Sequence, residues 1–282
     1  VVKKYNVIGF PIGHTMSPFI HKELFAIKGY SAEYGKLEIA PEKLGEEFSH
    51  TLKNLAGFNV TIPHKVEIIK YLNGLDASAK EYGAVNVVAN KNGEFIGYNT
   101  DAYGFLAGLR LAKIELRGKV LVYGFGGAAR TIIAEAIKAG CSVTVGTTQA
   151  FLDSALATVK ELSTLFGSEI KVLCDEEIVE RYNLLVNATP LGMYPKVDTM
   201  PLAEDKIDLF DAVYDIVYNP QETKLLKVAA RKGKPCGGGL SMLVAQAAKA
   251  HEYFYGASFT EAEVLEVVEK TAKEQEAIFK NE

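Results

Sequence analysis

A β-branched run, Val120-Leu121-Val122-Tyr123, enters Gly124-Phe125-Gly126-Gly127-Ala128-Ala129-Arg130 and then a helix-forming stretch over 131–137. Gly124, Gly126 and Ala129 satisfy the pattern G-x-G-x-x-[GA]. Glycine at the first two positions permits a tight turn and lets backbone N–H groups approach a pyrophosphate, while the start of the helix adds partial positive charge. A glycine cluster by itself marks only a sharp turn. The strand before it and the helix after it are what imply a nicotinamide or flavin dinucleotide. Gly-Lys-Ser/Thr is absent from the turn, which argues against a nucleoside triphosphatase loop.

The rest of the chain alternates in the same way. Short apolar runs at 5–9, 33–38 and 57–60 are interleaved with amphipathic stretches at 17–28 and 41–54, a βαβα rhythm. Runs at 84–90 and 94–98 are joined through Asn92-Gly93, which suits a tight hairpin. From 120 a second series begins, with strands expected at 120–123, 142–145, 170–173, 184–187 and 212–215 and a helix over 150–165, a doubly wound pattern. Beyond Gly237-Gly238-Gly239 the chain turns helical and no strand follows, so these last helices are expected to return to the first module. The fold class is therefore α/β. A discontinuous N-terminal α/β domain, 1–101 with 239–282, accompanies a Rossmann-type nucleotide-binding domain over 102–238.

Composition narrows the partners. At 282 residues and 48% hydrophobic content the chain has enough apolar material for two cores. Lys plus Arg number 31 against 35 Asp plus Glu, a net charge of -4. That balance provides no general basic field for nucleic acid or an anionic membrane, and a small-molecule partner is favoured. No apolar run is long enough to suggest a membrane span. Cys141, Cys174 and Cys236 are too scattered for a disulfide framework or a four-ligand zinc site, and a reducing cytoplasm is expected. His14, His21, His50, His64 and His251 lack metal-helix spacing, so no metal is expected. Ser17 and Ser241 lack the G-x-S-x-G setting of a hydrolase nucleophile.

Polar residues gather where strand ends and turns of the first module are expected: Thr15, Ser17, Asn59, Thr61, Lys65, Asn86 and Asn99-Thr100-Asp101. Singly, each has an ordinary explanation. Ser17 before Pro18 and Asp101 before an apolar run both suit helix caps, and Thr61 suits turn chemistry. Together they form a set of hydroxyl, amide and ammonium groups suited to a ligand with several hydroxyls and a carboxylate, since each buried polar ligand atom needs a partner.

Eight segments, read in order, resemble the shikimate dehydrogenase family over nearly the whole chain. They are Gly9-Phe-Pro-Ile-Gly-His-Thr-Met-Ser-Pro18, Phe58-Asn-Val-Thr-Ile-Pro-His-Lys65, Gly83-Ala-Val-Asn86 and Gly97-Tyr-Asn-Thr-Asp101, followed by Gly124-Phe-Gly-Gly-Ala-Ala-Arg130, Asn187-Ala-Thr-Pro-Leu-Gly-Met193, Asp215-Ile-Val-Tyr-Asn-Pro220 and Gly239-Leu-Ser-Met-Leu-Val-Ala-Gln246. The resemblance implies reversible NAD(P)H-dependent reduction of 3-dehydroshikimate to shikimate, with quinate or an amino analogue as the nearest alternative substrate. A catalytically silent nucleotide-binding relative is the alternative from another class, and retention of both Lys65 and Asp101 counts against it.

By the same resemblance Lys65 and Asp101 are the catalytic pair, with Thr15, Ser17, Asn59, Thr61, Asn86, Tyr218 and Gln246 around the substrate. The cofactor, NADP with NAD as the alternative, is expected on Gly124, Gly126, Gly127, Ala128, Thr147, Thr148, Asn187, Thr189, Ile216 and Gly239. Two departures stand out. Family members usually carry Ser-x-Ser where this chain has Thr15-Met16-Ser17, and NADP-dependent members usually carry Asn-Arg-Thr where it has Thr147-Thr148-Gln149. With neither an acid nor an arginine at the ribose-reading position, modest discrimination between the two cofactors is expected.

Overall fold

The computed structural model describes residues 2–13 and 15–279, without the side chain of Phe279; His14 of the first motif lies outside the described residues. The chain divides into two compact units, one of residues 1–104 with 244–282 and one of 105–243.

The first unit runs β1 (Lys3–Gly9), α1 (Ser17–Ile27), β2 (Ala32–Glu38), α2 (Leu44–His50), β3 (Gly57–Val60), β4 (Gly74–Leu75), α3 (Ala77–Tyr82), β5 (Val87–Lys91), β6 (Glu94–Tyr98) and the start of α4 (Asp101–Leu111). Its sheet has the order β2-β1-β3-β5-β6-β4. β1 pairs in parallel with β2 and β3, as the βαβ rhythm requires. β5 runs antiparallel to both β3 and β6, and for β6 the reason is the Asn92-Gly93 connection, since a two-residue turn cannot return a strand in parallel. Asn92 and Gly93 both take positive φ (59° and 95°), the backbone that a tight hairpin turn between twisted strands needs. This arrangement brings the C-terminal ends of β1, β3 and β6 and the start of β5 to one end of the sheet.

The stretch expected as one helix over 41–54 is instead a 3-10 turn at 41–43, α2, and another 3-10 turn at 52–54. Asn54 donates its side-chain amide to the His50 carbonyl, competing with the helical ladder, while Leu44 and Leu52 remain fully buried. The apolar spacing is satisfied without a continuous helix.

The second unit continues from α4 with β7 (Lys119–Tyr123), α5 (Gly127–Lys138), β8 (Ser142–Thr147), α6 (Leu152–Phe166), β9 (Lys171–Cys174), β10 (Tyr182–Asn187), β11 (Phe210–Asp215), α7 (Lys224–Arg231) and β12 (Cys236–Gly238). All of its strands are parallel, in the order β12-β11-β10-β7-β8-β9, a doubly wound sheet whose strand order reverses between β7 and β10. Apolar clusters cover both faces: Ile132, Ile133 and Val159 pack over Val120 and Val122, and Leu225 and Phe210 pack with Leu121 and Val213. Burial on both faces is why the central strands read as unbroken apolar runs.

Two helices close the chain, α8 (Gly239–Tyr255) and α9 (Glu261–Phe279). The division between units falls inside α4 and α8. Phe105, Leu109 and Met242 belong to the core of the second unit, whereas Ala250 and Phe254 pack with Tyr5 and Phe25 in the first. α9 lies along α1, tied by Lys28–Glu263 and Lys270–Glu23 ion pairs. No helix among the described residues is long and apolar enough to cross a membrane.

Candidate active site

At the polar end of the first sheet, Lys65 Nζ lies 2.6 Å from Asp101 Oδ2, with the lysine side chain 15% and the aspartate 2% exposed. The Lys65 backbone is pinned by the Val85 N–H, which donates to its carbonyl at 2.7 Å. Asp101 opens α4, but its carboxylate is not spent on capping. Its own N–H donates to Asn99 Oδ1 at 2.9 Å, and Asn99 in turn anchors to the Ala84 carbonyl. That shared amide positions the aspartate and leaves both carboxylate oxygens for other partners.

The second oxygen is held by Asn86. Asn86 Nδ2 lies 2.9 Å from Asp101 Oδ1, 2.9 Å from Thr100 Oγ1 and 3.1 Å from Gln246 Oε1. Its Oδ1 accepts from the Thr100 N–H at 2.8 Å, which fixes the amide with nitrogen toward the carboxylate. Asn59 joins through its Nδ2, 3.3 Å from the Asn86 carbonyl. Lys65, Asp101, Asn86, Asn59 and Gln246 thus form one connected network. Thr15 and Ser17 lie at the start of α1, with Thr15 Oγ1 3.1 Å from Ser17 Oγ. The helix cap position there is Met16 and not Ser17, so the serine hydroxyl is not the cap that its place before Pro18 suggests. Thr61 follows β3 and is half-buried.

Tyr218 belongs to the second unit, half-buried beyond β11. In that unit the glycine turn follows β7, beside the strand-order reversal, the place at which doubly wound sheets bind dinucleotides. Gly124 has φ +113°, and a Cβ there would come within 2.8 Å of Thr189 Cγ2 and 3.0 Å of the Ala188 carbonyl oxygen. A Cβ on Gly126 would meet nothing within 4 Å. Gly126 is the cap residue of α5, no side chain caps that helix, and its first turn carries no acid. Gly127 and Ala128 continue that turn.

Asp215 ties the far wall together. It accepts from Asn187 Nδ2 at 2.9 Å and the Val217 N–H at 3.0 Å on Oδ1, and from Thr223 Oγ1 at 2.7 Å on Oδ2. Burial pushes its pKa up to about 6 against the pull of those donors. Asn187 Oδ1 accepts from both the N–H and the hydroxyl of Thr189, the latter at 2.7 Å. Gly239 passes so close to Ile216 that a Cβ would sit 2.0 Å from its carbonyl oxygen. At the end of β8, Thr147 is buried, Thr148 half-buried and Gln149 exposed. Cys174 Sγ approaches Gln149 Oε1 at 3.5 Å.

The sequence carried no sign of Tyr34, His21 or His251, which back the Asn59 side of the network, nor of the bracing role of Asp215. No group of three or more His, Cys, Asp or Glu side chains among the described residues is placed to hold a metal ion.

Residues 7–88 match the family model for the shikimate dehydrogenase substrate binding domain. The chain is 38% identical over 275 residues to the shikimate dehydrogenase (NADP(+)) of Caldanaerobacter subterraneus subsp. tengcongensis, covering 94% of this chain and 96% of that one. The chain belongs to the shikimate dehydrogenase family. Shikimate 5-dehydrogenase of Thermus thermophilus, solved in complex with NADP(H) and shikimate, superimposes with a TM-score of 0.84 at 31% identity, over 96% of this chain and all (100%) of that one. Shikimate 5-dehydrogenase of Listeria monocytogenes, solved with shikimate and NAD, gives 0.81 at 31% identity, over 95% and 96% of the two chains. The resemblance carried by the eight segments is thus family membership, with the relative matched over 94% of this chain.

Proposed function

We propose that this protein catalyses the reversible reduction of 3-dehydroshikimate to shikimate with NADPH, and that Lys65 and Asp101 handle the proton. The observation that carries this reading is the 2.6 Å Lys65–Asp101 pair, braced by Asn86 and Gln246. When bound, the nicotinamide supplies or accepts the hydride at the ring carbon that bears the reacting oxygen. That oxygen gains alkoxide character during reduction, and a positioned donor lowers the barrier. Lys65 Nζ gives it the proton; in the oxidative direction the same nitrogen withdraws it. Asp101 Oδ2 holds the ammonium in place, and Asn86 keeps the carboxylate from turning away.

The first unit serves as the substrate domain. Asn59, Thr61, Asn86 and Gln246 supply amide and hydroxyl partners for the ring hydroxyls, and Thr15 and Ser17 hold the carboxylate by charge-assisted hydrogen bonds. The second unit serves as the nucleotide domain. The turn of Gly124, Gly126, Gly127 and Ala128 fits a pyrophosphate, being tight at Gly124, open at Gly126 and uncapped at α5. Thr147 and Thr148 serve the adenosine end, and Asn187, Thr189, Ile216 and Gly239 the nicotinamide end. A small-molecule partner suits a net charge of -4, and the free thiols Cys141, Cys174 and Cys236 suit a reducing cytoplasm.

Initial rates with shikimate and with quinate, each with NADP and with NAD, test this function. Oxidation of shikimate with NADP as the preferred pair supports it. Turnover confined to quinate contradicts the substrate assignment, and absence of turnover in all four combinations contradicts the enzymatic one.

A further inference from the structure

Tyr34 and Asn59 stand on the two strands that flank β1. The registers Tyr5–Tyr34 and Val7–Asn59 place both side chains on the same face of the sheet. Across that face the Tyr34 hydroxyl donates to Asn59 Oδ1 at 2.7 Å. Asn59 Nδ2 faces the backbone carbonyl of Asn86, at 3.3 Å. A carbonyl only accepts, so the nitrogen must lie on that side, and the Tyr34 hydroxyl is then left to donate to the oxygen. Burial holds the phenol well above its ordinary range, so this donor keeps its proton. The Tyr34 ring is itself fixed. His21 stacks flat against it, centroids 4.0 Å apart and planes 6° apart, and His21 Nδ1 lies 2.8 Å from His251 Nε2 in a buried pair. His251 Nδ1 is in turn 2.6 Å from the Tyr255 hydroxyl.

We propose that Tyr34 is a positioning residue that locks the Asn59 amide with its carbonyl turned inward and an N–H presented to a substrate hydroxyl, with the His21–His251 pair as its backing. The Asn86 carbonyl sets which way round the amide sits, and the Tyr34 hydroxyl, donating to Oδ1, holds it there; a reversed or displaced amide would turn an oxygen toward the substrate hydroxyl and repel any lone pair directed at it. Locking the flip makes Asn59 a donor for a hydroxyl oxygen. The inference rests on the proposed function, because it takes the ligand of Asn59 to be a ring hydroxyl of the substrate.

The test is a double-mutant cycle on shikimate oxidation at saturating NADP, with wild type, Tyr34→Phe, Asn59→Ala and the double variant. Tyr34→Phe removes one oxygen and keeps the ring against His21. It should raise KM for shikimate about 5- to 10-fold, the scale of one hydrogen bond. It should leave kcat within about threefold and KM for NADP unmoved, a split that general destabilisation does not produce. In the Asn59→Ala background the same substitution should add nothing. An unmoved shikimate KM in Tyr34→Phe, or a full additional loss in the double variant, overturns the inference while leaving the proposed function standing. Failure of the wild type to oxidise shikimate overturns both.

Discussion

Asp101 meets Lys65 with one carboxylate oxygen, at 2.6 Å, and is 2% exposed, so the ammonium and carboxylate are held together with almost no solvent access to the acid. Such a pair is stable only if the remaining oxygen is also satisfied. Asn86 does this at 2.9 Å.

Asn86→Ala leaves Asp101 Oδ1 and Gln246 Oε1 without the amide that holds them. Loss of a donor to a buried charged group costs about 1–3 kcal/mol, or roughly 5- to 150-fold. The variant should lose about 10- to 100-fold in kcat/KM for shikimate, measured by steady-state kinetics. A value within twofold of wild type would mean that the pair needs no bracing.

The adenosine end should discriminate weakly. The segment Thr147-Thr148-Gln149 offers hydroxyls and an amide but no charge to read a 2′-phosphate or a free 2′-hydroxyl. A charge-assisted hydrogen bond is worth roughly 1.5–3 kcal/mol. We expect kcat/KM for NADP and NAD to lie within about two decades of each other, and Thr148→Arg to shift the ratio toward NADP by about 10- to 100-fold. A wild-type ratio above about a thousandfold would show that groups outside this segment read the ribose.

Thr15 carries a methyl group that a serine in its place lacks. Quinate carries an additional hydroxyl on the carbon that bears the carboxylate, so the room beside Thr15 should decide between the two acids. Thr15→Ser should raise kcat/KM for quinate relative to shikimate by a few fold, the scale of about 0.8 kcal/mol for one buried carbon. A shift toward shikimate in the paired initial-rate measurement would place the carboxylate elsewhere.

Stability should fall on acidification because of the buried histidines. Burial, with the neighbouring His251, holds His21 well below the ordinary 6.5, and burial pushes His251 down to about 3. Below pH 6.5 the unfolded chain takes up protons that the native pair refuses, so their contribution is complete above pH 6.5 and is lost as the pH falls toward the native values. Asp215 acts oppositely: raised from 3.8 to about 6, it favours the native state fully below 3.8, and that contribution is lost as the pH rises through 6. Between pH 6 and 5 each histidine kept neutral adds a slope of about 1.4 kcal/mol per pH unit and Asp215 offsets about one of them. His251→Phe should therefore flatten the fall in stability, read as denaturation midpoints across this range. An unchanged slope would mean that the histidines are not held neutral.

Local chemistry made much of this legible in advance. The strand, glycine turn and helix at 120–137 are specified within a few residues of one another, as is the Asn92-Gly93 hairpin, and both are found at those positions. Lys65, Asp101 and Asn86 were marked out as polar groups at strand ends. The resemblance paired Lys65 with Asp101, but the bracing by Asn86 was not legible, because Asn86 reaches Gln246 across 160 positions. The His21–His251 pair spans 230 positions and joins two helices that the sequence separates by the whole second unit. Tyr34 sits in a strand whose alternation is ordinary, and its meaning appears only when β3 is placed one strand away. The broken helix over 41–54 was hidden for a different reason: its apolar spacing is helical, and only the Asn54 side chain discloses the competing bond.

The central claim is that Lys65 Nζ moves the proton at the reacting oxygen. Its most direct test is kcat for shikimate oxidation by Lys65→Met at saturating shikimate and NADP. A loss of about 100-fold or more, with a smaller change in KM, is the expected result for removal of a general acid-base group. A Lys65→Met enzyme that keeps a near wild-type kcat would contradict the account.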